Sequence, residues 1–61
     1  MILEREVIYI QPELRWLVRY SAKKFGRVWD WWGFTEEEPD PVTLSGIDAL
    51  AQAAFDRVEK P

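Results

Sequence analysis

The sequence of 61 residues contains no cysteine and no histidine. These absences exclude disulfides, zinc or iron–sulfur sites built on Cys or His, and Ser–His–Asp or Cys–His catalytic arrangements. The three glycines form no phosphate-binding loop, and no serine or threonine has an evident base to activate it. We therefore expect a protein that is not an enzyme and that binds no metal and no cofactor.

Long apolar runs are also missing. The N-terminus carries charge by its fourth residue, and no run reaches the length of a signal-peptide core or a membrane span. We therefore expect a cytoplasmic protein, in agreement with the absence of cysteine. A chain this short forms one domain, residues 1–61, and buries only about 60% of the surface of its unfolded form. It needs a concentrated core or a partner.

Aromatic residues are abundant: the composition is 48% hydrophobic and 15% aromatic, with four tryptophans, so the core must be aromatic. The net charge is −3 but unevenly distributed. Residues 1–27 carry six cations against three anions, whereas residues 28–61 carry two cations against eight anions. Such a bipolar chain favours steered association with a charged macromolecule over indiscriminate nucleic-acid binding.

The two ends of the chain have clear patterns. Residues 2–10 are rich in β-branched and aromatic side chains and predict a strand. Residues 45–60 predict a helix, with Ser45 as N-cap and Asp48 in the position of a capping-box carboxylate. Its apolar face has helical spacing: Ile47, Leu50, Ala51, Ala54, Phe55 and Val58. The acidic segment 35–44 is interpreted as a solvated loop before the helix rather than a cation site.

Residues 12–26 admit two interpretations. As a helix, Pro12 would occupy the first position and Gly26 would follow the last turn. As a strand over 14–22, one apolar set (Leu14, Trp16, Val18, Tyr20 and Ala22) alternates with Arg15, Leu17, Arg19 and Ser21. Gly26 then ends a turn into a third strand over 27–34. The strand interpretation is preferred because of the face that it produces.

The predicted hairpin registers follow from the turns. A three-residue turn with a bulge at Gly26 places Val18 opposite Trp32, and a two-residue Pro12–Glu13 turn places Tyr9 opposite Trp16. One apolar face results: Leu3, Val7, Tyr9, Leu14, Trp16, Val18, Tyr20, Val28, Trp32 and Phe34. The sequence therefore predicts an α+β fold, a three-stranded antiparallel meander with one C-terminal helix packed on one face.

The opposite face of this sheet has nothing in the chain to cover it. The same registers place eight residues there: Ile8, Ile10, Arg15, Leu17, Arg19, Arg27, Trp29 and Trp31. Tryptophan and arginine dominate the energetically important centres of protein interfaces, so we interpret these residues as a partner-binding surface. Two alternatives stay open: the interface of a homodimer, and the core of a differently folded monomer.

Part of the sequence resembles two families of DNA-binding domains. The resemblance is carried by residues 17–19, 26–29 and 33–35 and by the alanine-rich segment 49–55. These segments are similar to ethylene-response-factor domains of plants and to arm-binding domains of phage-type integrases. The resemblance implies a three-stranded sheet backed by a helix, with Arg19, Arg27 and Trp29 contacting DNA.

The leading functional prediction is a small protein-binding module, an inhibitor or adaptor of the kind that phages and mobile elements encode. DNA binding by the same face is the alternative, and it is disfavoured by the net negative charge. No membrane partner is expected.

Overall fold

The computed structural model describes residues 3–60 and has four elements. Three strands, β1 (Glu4–Ile10), β2 (Arg15–Lys24) and β3 (Arg27–Thr35), are followed by the helix α1 (Pro41–Asp56). The strands form one antiparallel sheet in the order β1-β2-β3. The predicted α+β class is confirmed, and residues 12–26 are not helical. The first residue of the predicted strand 2–10 and the last residue of the chain lie outside the described residues.

The register of the first hairpin agrees with the prediction. Tyr9 lies opposite Trp16 and Val7 opposite Val18. The connection is longer than the predicted two-residue turn, because the strands are joined by residues 11–14, with a cis Gln11–Pro12 bond and a positive φ of 55° at Leu14. The longer loop leaves the pairing unchanged.

The predicted register of the second hairpin is wrong by one residue. Phe25 and Gly26 have φ angles of 53° and 76° and form a two-residue turn of type I′, instead of a three-residue turn with a bulge. Tyr20 therefore lies opposite Trp31, and Val18 lies opposite Gly33 instead of Trp32. Since successive strand residues point to opposite faces, this single step exchanges the two faces of β3.

The helix begins earlier and ends earlier than predicted. Asp40 is the N-cap, and its carboxylate accepts a 2.7 Å hydrogen bond from the backbone N–H of Thr43. Pro41 occupies the first helical position, where its missing N–H has no partner to lose. The predicted loop 35–44 thus gives its last residues to α1, and Ser45 lies inside the helix.

The buried hydrophobic core lies between the sheet and α1. It consists of Leu3, Val18, Tyr20, Ala51 and Phe55. Partly buried side chains surround it: Ala22, Trp29, Trp31, Leu44 and Ile47. At the C-terminal end of α1, the Lys24 ammonium donates a hydrogen bond to the Phe55 carbonyl, which places a cation at the negative end of the helix dipole.

Asp48 joins the middle of the helix to the sheet. Its carboxylate accepts a hydrogen bond from the Tyr20 hydroxyl. It also forms an ion pair with the Arg5 guanidinium at 2.7 Å. Burial raises the pKa of Tyr20 well above its usual value, and the hydrogen bond to Asp48 raises it further. Burial alone would raise the pKa of Asp48. The hydrogen bonds from Tyr20 and Arg5 and the charge of Arg5 outweigh it, so this pKa lies below its usual value.

We expect Asp48 to stabilise the fold in a pH-dependent way. Because its pKa is lower in the folded than in the unfolded chain, its contribution is fully present above about pH 4. It is lost as the pH falls through the folded-state pKa. Asp48→Asn should lower the free energy of unfolding by about 1–2 kcal/mol at neutral pH and reduce its acid dependence.

The measurement is urea denaturation followed by circular dichroism between pH 2 and pH 7. The control is Asp56→Asn, which changes an exposed carboxylate at the end of the same helix. Equal losses in the two variants, or an unchanged acid dependence in Asp48→Asn, would contradict the stabilising role of this carboxylate.

Candidate functional site

No element of residues 3–60 covers the side of the sheet that faces away from α1, which is called here the outer face. Exposure alternates along β3, where Trp29 and Trp31 are half-buried while Trp32 and Phe34 are 55% and 46% exposed. The Tyr20 side chain is buried and bonded to α1, and its neighbour across the hairpin, Trp31, shares that face. Trp32 and Phe34 therefore belong to the outer face.

An apolar patch occupies one end of the outer face. It consists of Ile8, Ile10, Leu17, Trp32 and Phe34. Ile8, Leu17 and Phe34 lie opposite one another and form one row across all three strands. Trp32 extends the patch along β3, and Ile10 extends it along β1. The patch is continuous because each member is a direct or diagonal neighbour of the next.

Charged side chains surround this patch. Two of them, Arg15 and Arg19, each have a carboxylate close by. The guanidinium of Arg15 lies 3.9 Å from the centre of the Phe34 ring and 2.9 Å from a carboxylate oxygen of Glu13. Arg19 lies 3.5 Å from Asp30 on the adjacent strand. The remaining charged residues of the outer face are Glu4, Glu6 and Lys23. The strands therefore place three cations (Arg15, Arg19 and Lys23) and three anions (Glu4, Glu6 and Asp30) on this face, and Glu13 belongs to the loop before β2.

The structure places five of the eight predicted site residues on the outer face: Ile8, Ile10, Arg15, Leu17 and Arg19. The predicted placement of the other three there is wrong. Trp29 and Trp31 pack against the core, and Arg27 ends the row of β3 that faces the helix side. The cause is the type I′ turn, which shifts β3 by one residue.

Trp32 and Phe34 are the outer-face residues that the sequence interpretation missed. It assigned them to the core because a bulged turn at Gly26 gave an equally apolar inner face. A signal was present in Lys24–Arg27, since a glycine at the second central position suits a two-residue hairpin turn with positive φ.

The described part of the chain holds neither a cluster of metal-ligating side chains nor a membrane-spanning helix. No three His, Cys, Asp or Glu side chains of residues 3–60 lie close enough together to hold a metal ion. No helix within that range has both the length and the apolar composition needed to cross a membrane. Comparisons with protein-family models, curated proteins and solved structures gave no match. Function must therefore be argued from the outer face itself.

Proposed function

We propose that this chain is a non-catalytic protein-binding module that covers its apolar patch with another protein. The observation that carries the proposal is the half-exposed pair Trp32 and Phe34, on a face that no described element covers. The Arg15 guanidinium lies against the Phe34 ring on the same face. Buried aromatic and arginine side chains are the residues on which protein interfaces depend most.

The energy available from this patch is substantial. Aromatic side chains bury about 150–250 Å² each, so Trp32 and Phe34 each leave roughly 100 Å² accessible. Covering this area is worth about 2–3 kcal/mol per side chain. The Cα atoms span 37 × 24 × 14 Å, so the broad side of the molecule can supply the ~800 Å² that each partner contributes to a standard interface.

Charge placement favours a different protein over a second copy as the occupant of this face. The central strand β2 presents three cations outward: Arg15, Arg19 and Lys23. Two copies can pack their outer faces together with the two-fold axis parallel or perpendicular to the strands. In both arrangements β2 of one copy lies over β2 of the other, so cations lie over cations. A partner with carboxylates around an apolar centre avoids this repulsion.

DNA binding by the same face is a weaker proposal. Phosphate neutralisation by Lys and Arg supplies most non-specific DNA affinity. Glu4, Glu6 and Asp30 share the outer face with the arginines, and Arg19 already has Asp30 beside it. A nucleic acid would therefore meet repulsion as well as attraction.

Site-specific photo-crosslinking tests the proposal. A photoreactive phenylalanine derivative replaces Trp32 in one variant and Leu50, which is 63% exposed on α1, in a control variant. In lysate of the source organism we expect one protein to be crosslinked at position 32 and not at position 50. The yield should survive moderate salt, because apolar burial is not screened. Equal yields at both positions, or a salt-sensitive crosslink to nucleic acid at position 32, would contradict protein binding by this face.

A further inference from the structure

The strand β1 is an edge strand whose first half, residues 4–6, is charged and whose second half has the composition of an interior strand. Its second half, Val7–Ile10, is apolar on both faces of the sheet. Edge strands of soluble proteins usually carry charges, prolines or bulges that prevent pairing with another chain. Uninterrupted apolar runs are typical of strands with neighbours on both sides and cover on both faces.

The other edge strand, β3, has its large apolar side chains on the helix side of the sheet packed against the core. Along β3, Trp29 and Trp31 face the helix and pack on the core. Asp30 and Gly33 interrupt the strand's run of apolar side chains, and both residue types are depleted in strand interiors. On β1, by contrast, Val7 and Tyr9 face the helix side and stay 38% and 43% exposed.

We propose that a second copy of this chain pairs with β1 in antiparallel orientation, with Ile8 opposite Ile8 of the second copy. The two-fold axis then runs through Ile8, perpendicular to the sheet, and the two three-stranded sheets become one sheet of six strands. Val7 of each copy lies opposite Tyr9 of the other. The unpaired backbone N–H and C=O groups on the free side of β1 gain partners.

Charge and strand overlap together select this register among those that two-fold symmetry allows. Pairing centred on Tyr9 would pair only residues 8–10 within the two strands, whereas pairing centred on Ile8 pairs residues 6–10. Pairing centred on Glu4, Arg5 or Glu6 would place a like charge directly opposite itself, which destabilises a sheet. Pairing centred on Val7 would place both glutamates opposite isoleucines. Pairing centred on Ile8 leaves one charged residue, Glu6, opposite Ile10 of the second copy. Within that copy Ile10 lies opposite Arg15, so Glu6 has a cation as the next residue along the same row.

This arrangement affects the outer face. A two-fold axis perpendicular to the sheet keeps both helices on one side and both outer faces on the other. The two apolar patches then adjoin through the paired Ile8 side chains. The dimer would present two copies of the partner-binding surface side by side. The pairing itself does not depend on the proposed function, because it uses the edge and not the face of the sheet.

The test measures mass by sedimentation equilibrium from micromolar to millimolar concentration. The chain should change from 7.3 kDa to twice that mass as the concentration rises. Val7→Lys combined with Tyr9→Lys places lysines opposite lysines at two symmetric positions and should weaken self-association by about 30-fold. Val7→Glu combined with Tyr9→Lys places opposite charges together in this register and should restore most of the association.

The control is Val28→Lys, which adds one lysine to the other edge strand at a residue that is 70% exposed. It should leave the dimer intact. A monomer at every concentration, a dimer broken by Val28→Lys but not by the double lysine variant, or failure of the Glu/Lys combination to restore association would overturn the proposed pairing.

A second measurement guards against misfolding of the variants, since the Tyr9 ring packs 5.0 Å from that of Trp16. Amide hydrogen exchange of the unmodified protein should slow along the free edge of β1 as concentration rises, while β3 stays unchanged. Exchange of β1 amides that is independent of concentration would overturn the pairing. Neither result bears on partner binding, which is tested separately by the crosslink at position 32.

Discussion

Replacing Phe55 by alanine is expected to remove most of the stability of this domain. Phe55 is 5% exposed and packs with its ring 5.3 Å from Trp29 in an edge-to-face arrangement. The Lys24 ammonium lies 4.6 Å from the centre of the same ring. Truncating a buried phenylalanine lowers the free energy of unfolding by about 3–5 kcal/mol. A domain of 61 residues has only about 3–9 kcal/mol in total.

Chemical denaturation followed by circular dichroism measures this loss. The matched control is Leu50→Ala, which shortens a side chain on the exposed side of the same helix and should change stability by less than about 1 kcal/mol. If the two variants lost equal stability, α1 would not pack on the sheet through Phe55, and the core described here would be wrong.

The neighbouring tryptophans Trp31 and Trp32 are expected to behave in opposite ways. Trp31 is half-buried and packs 5.7 Å from the buried ring of Tyr20, so Trp31→Ala should destabilise the fold by about 2 kcal/mol. Trp32 lies opposite Arg19 on the outer face. Trp32→Ala should leave stability within about 0.5 kcal/mol of the unchanged protein and abolish capture of the partner identified by crosslinking.

Two measurements on Trp31→Ala and Trp32→Ala show which tryptophan stabilises the core and which binds the partner. Denaturation midpoints report the stability difference, and affinity capture of the identified partner reports binding. Loss of stability in Trp32→Ala with none in Trp31→Ala would exchange the faces of β3 and remove the partner-binding surface. Unimpaired capture by Trp32→Ala would separate binding from the apolar patch.

The first hairpin and the existence of the helix could be predicted because their patterns have a single solution. In residues 2–10, shifting the pairing by one residue would bring Glu4 and Glu6 to the helix side, so the hydrophobic pattern fixes the register. The spacing of Ile47, Leu50, Ala51, Ala54 and Phe55 is helical, and it fits no strand because it includes both odd and even positions.

The register of β3 could not be predicted from the same kind of pattern, because the strand is apolar on both faces. One face offers Trp29 and Trp31, and the other offers Trp32 and Phe34. Either set would cover α1, so burial alone does not distinguish the two registers. The backbone conformation of Phe25 and Gly26 decides between them. Gly26 suits both the two-residue turn and the bulged turn, and a phenylalanine with positive φ is uncommon.

The start of the helix was missed for a different reason. Prolines on both sides of Asp40 indicate a loop when each is considered alone. In the structure Asp40 is the N-cap, Pro41 takes the first helical position and Pro39 is buried beside them. Asp48, assigned to a capping box, instead bonds to Tyr20, a contact between distant residues that no local pattern records.

The central claim is that Trp32 and Phe34 lie on the uncovered face of the sheet, and side-chain nuclear Overhauser effects in solution test it most directly. The structure predicts contacts between Tyr20 and Trp31 and between Arg19 and Trp32. Contacts between the side chains of Val18 and Trp32 would instead place Trp32 against the helix side, and the partner-binding surface proposed here would not exist.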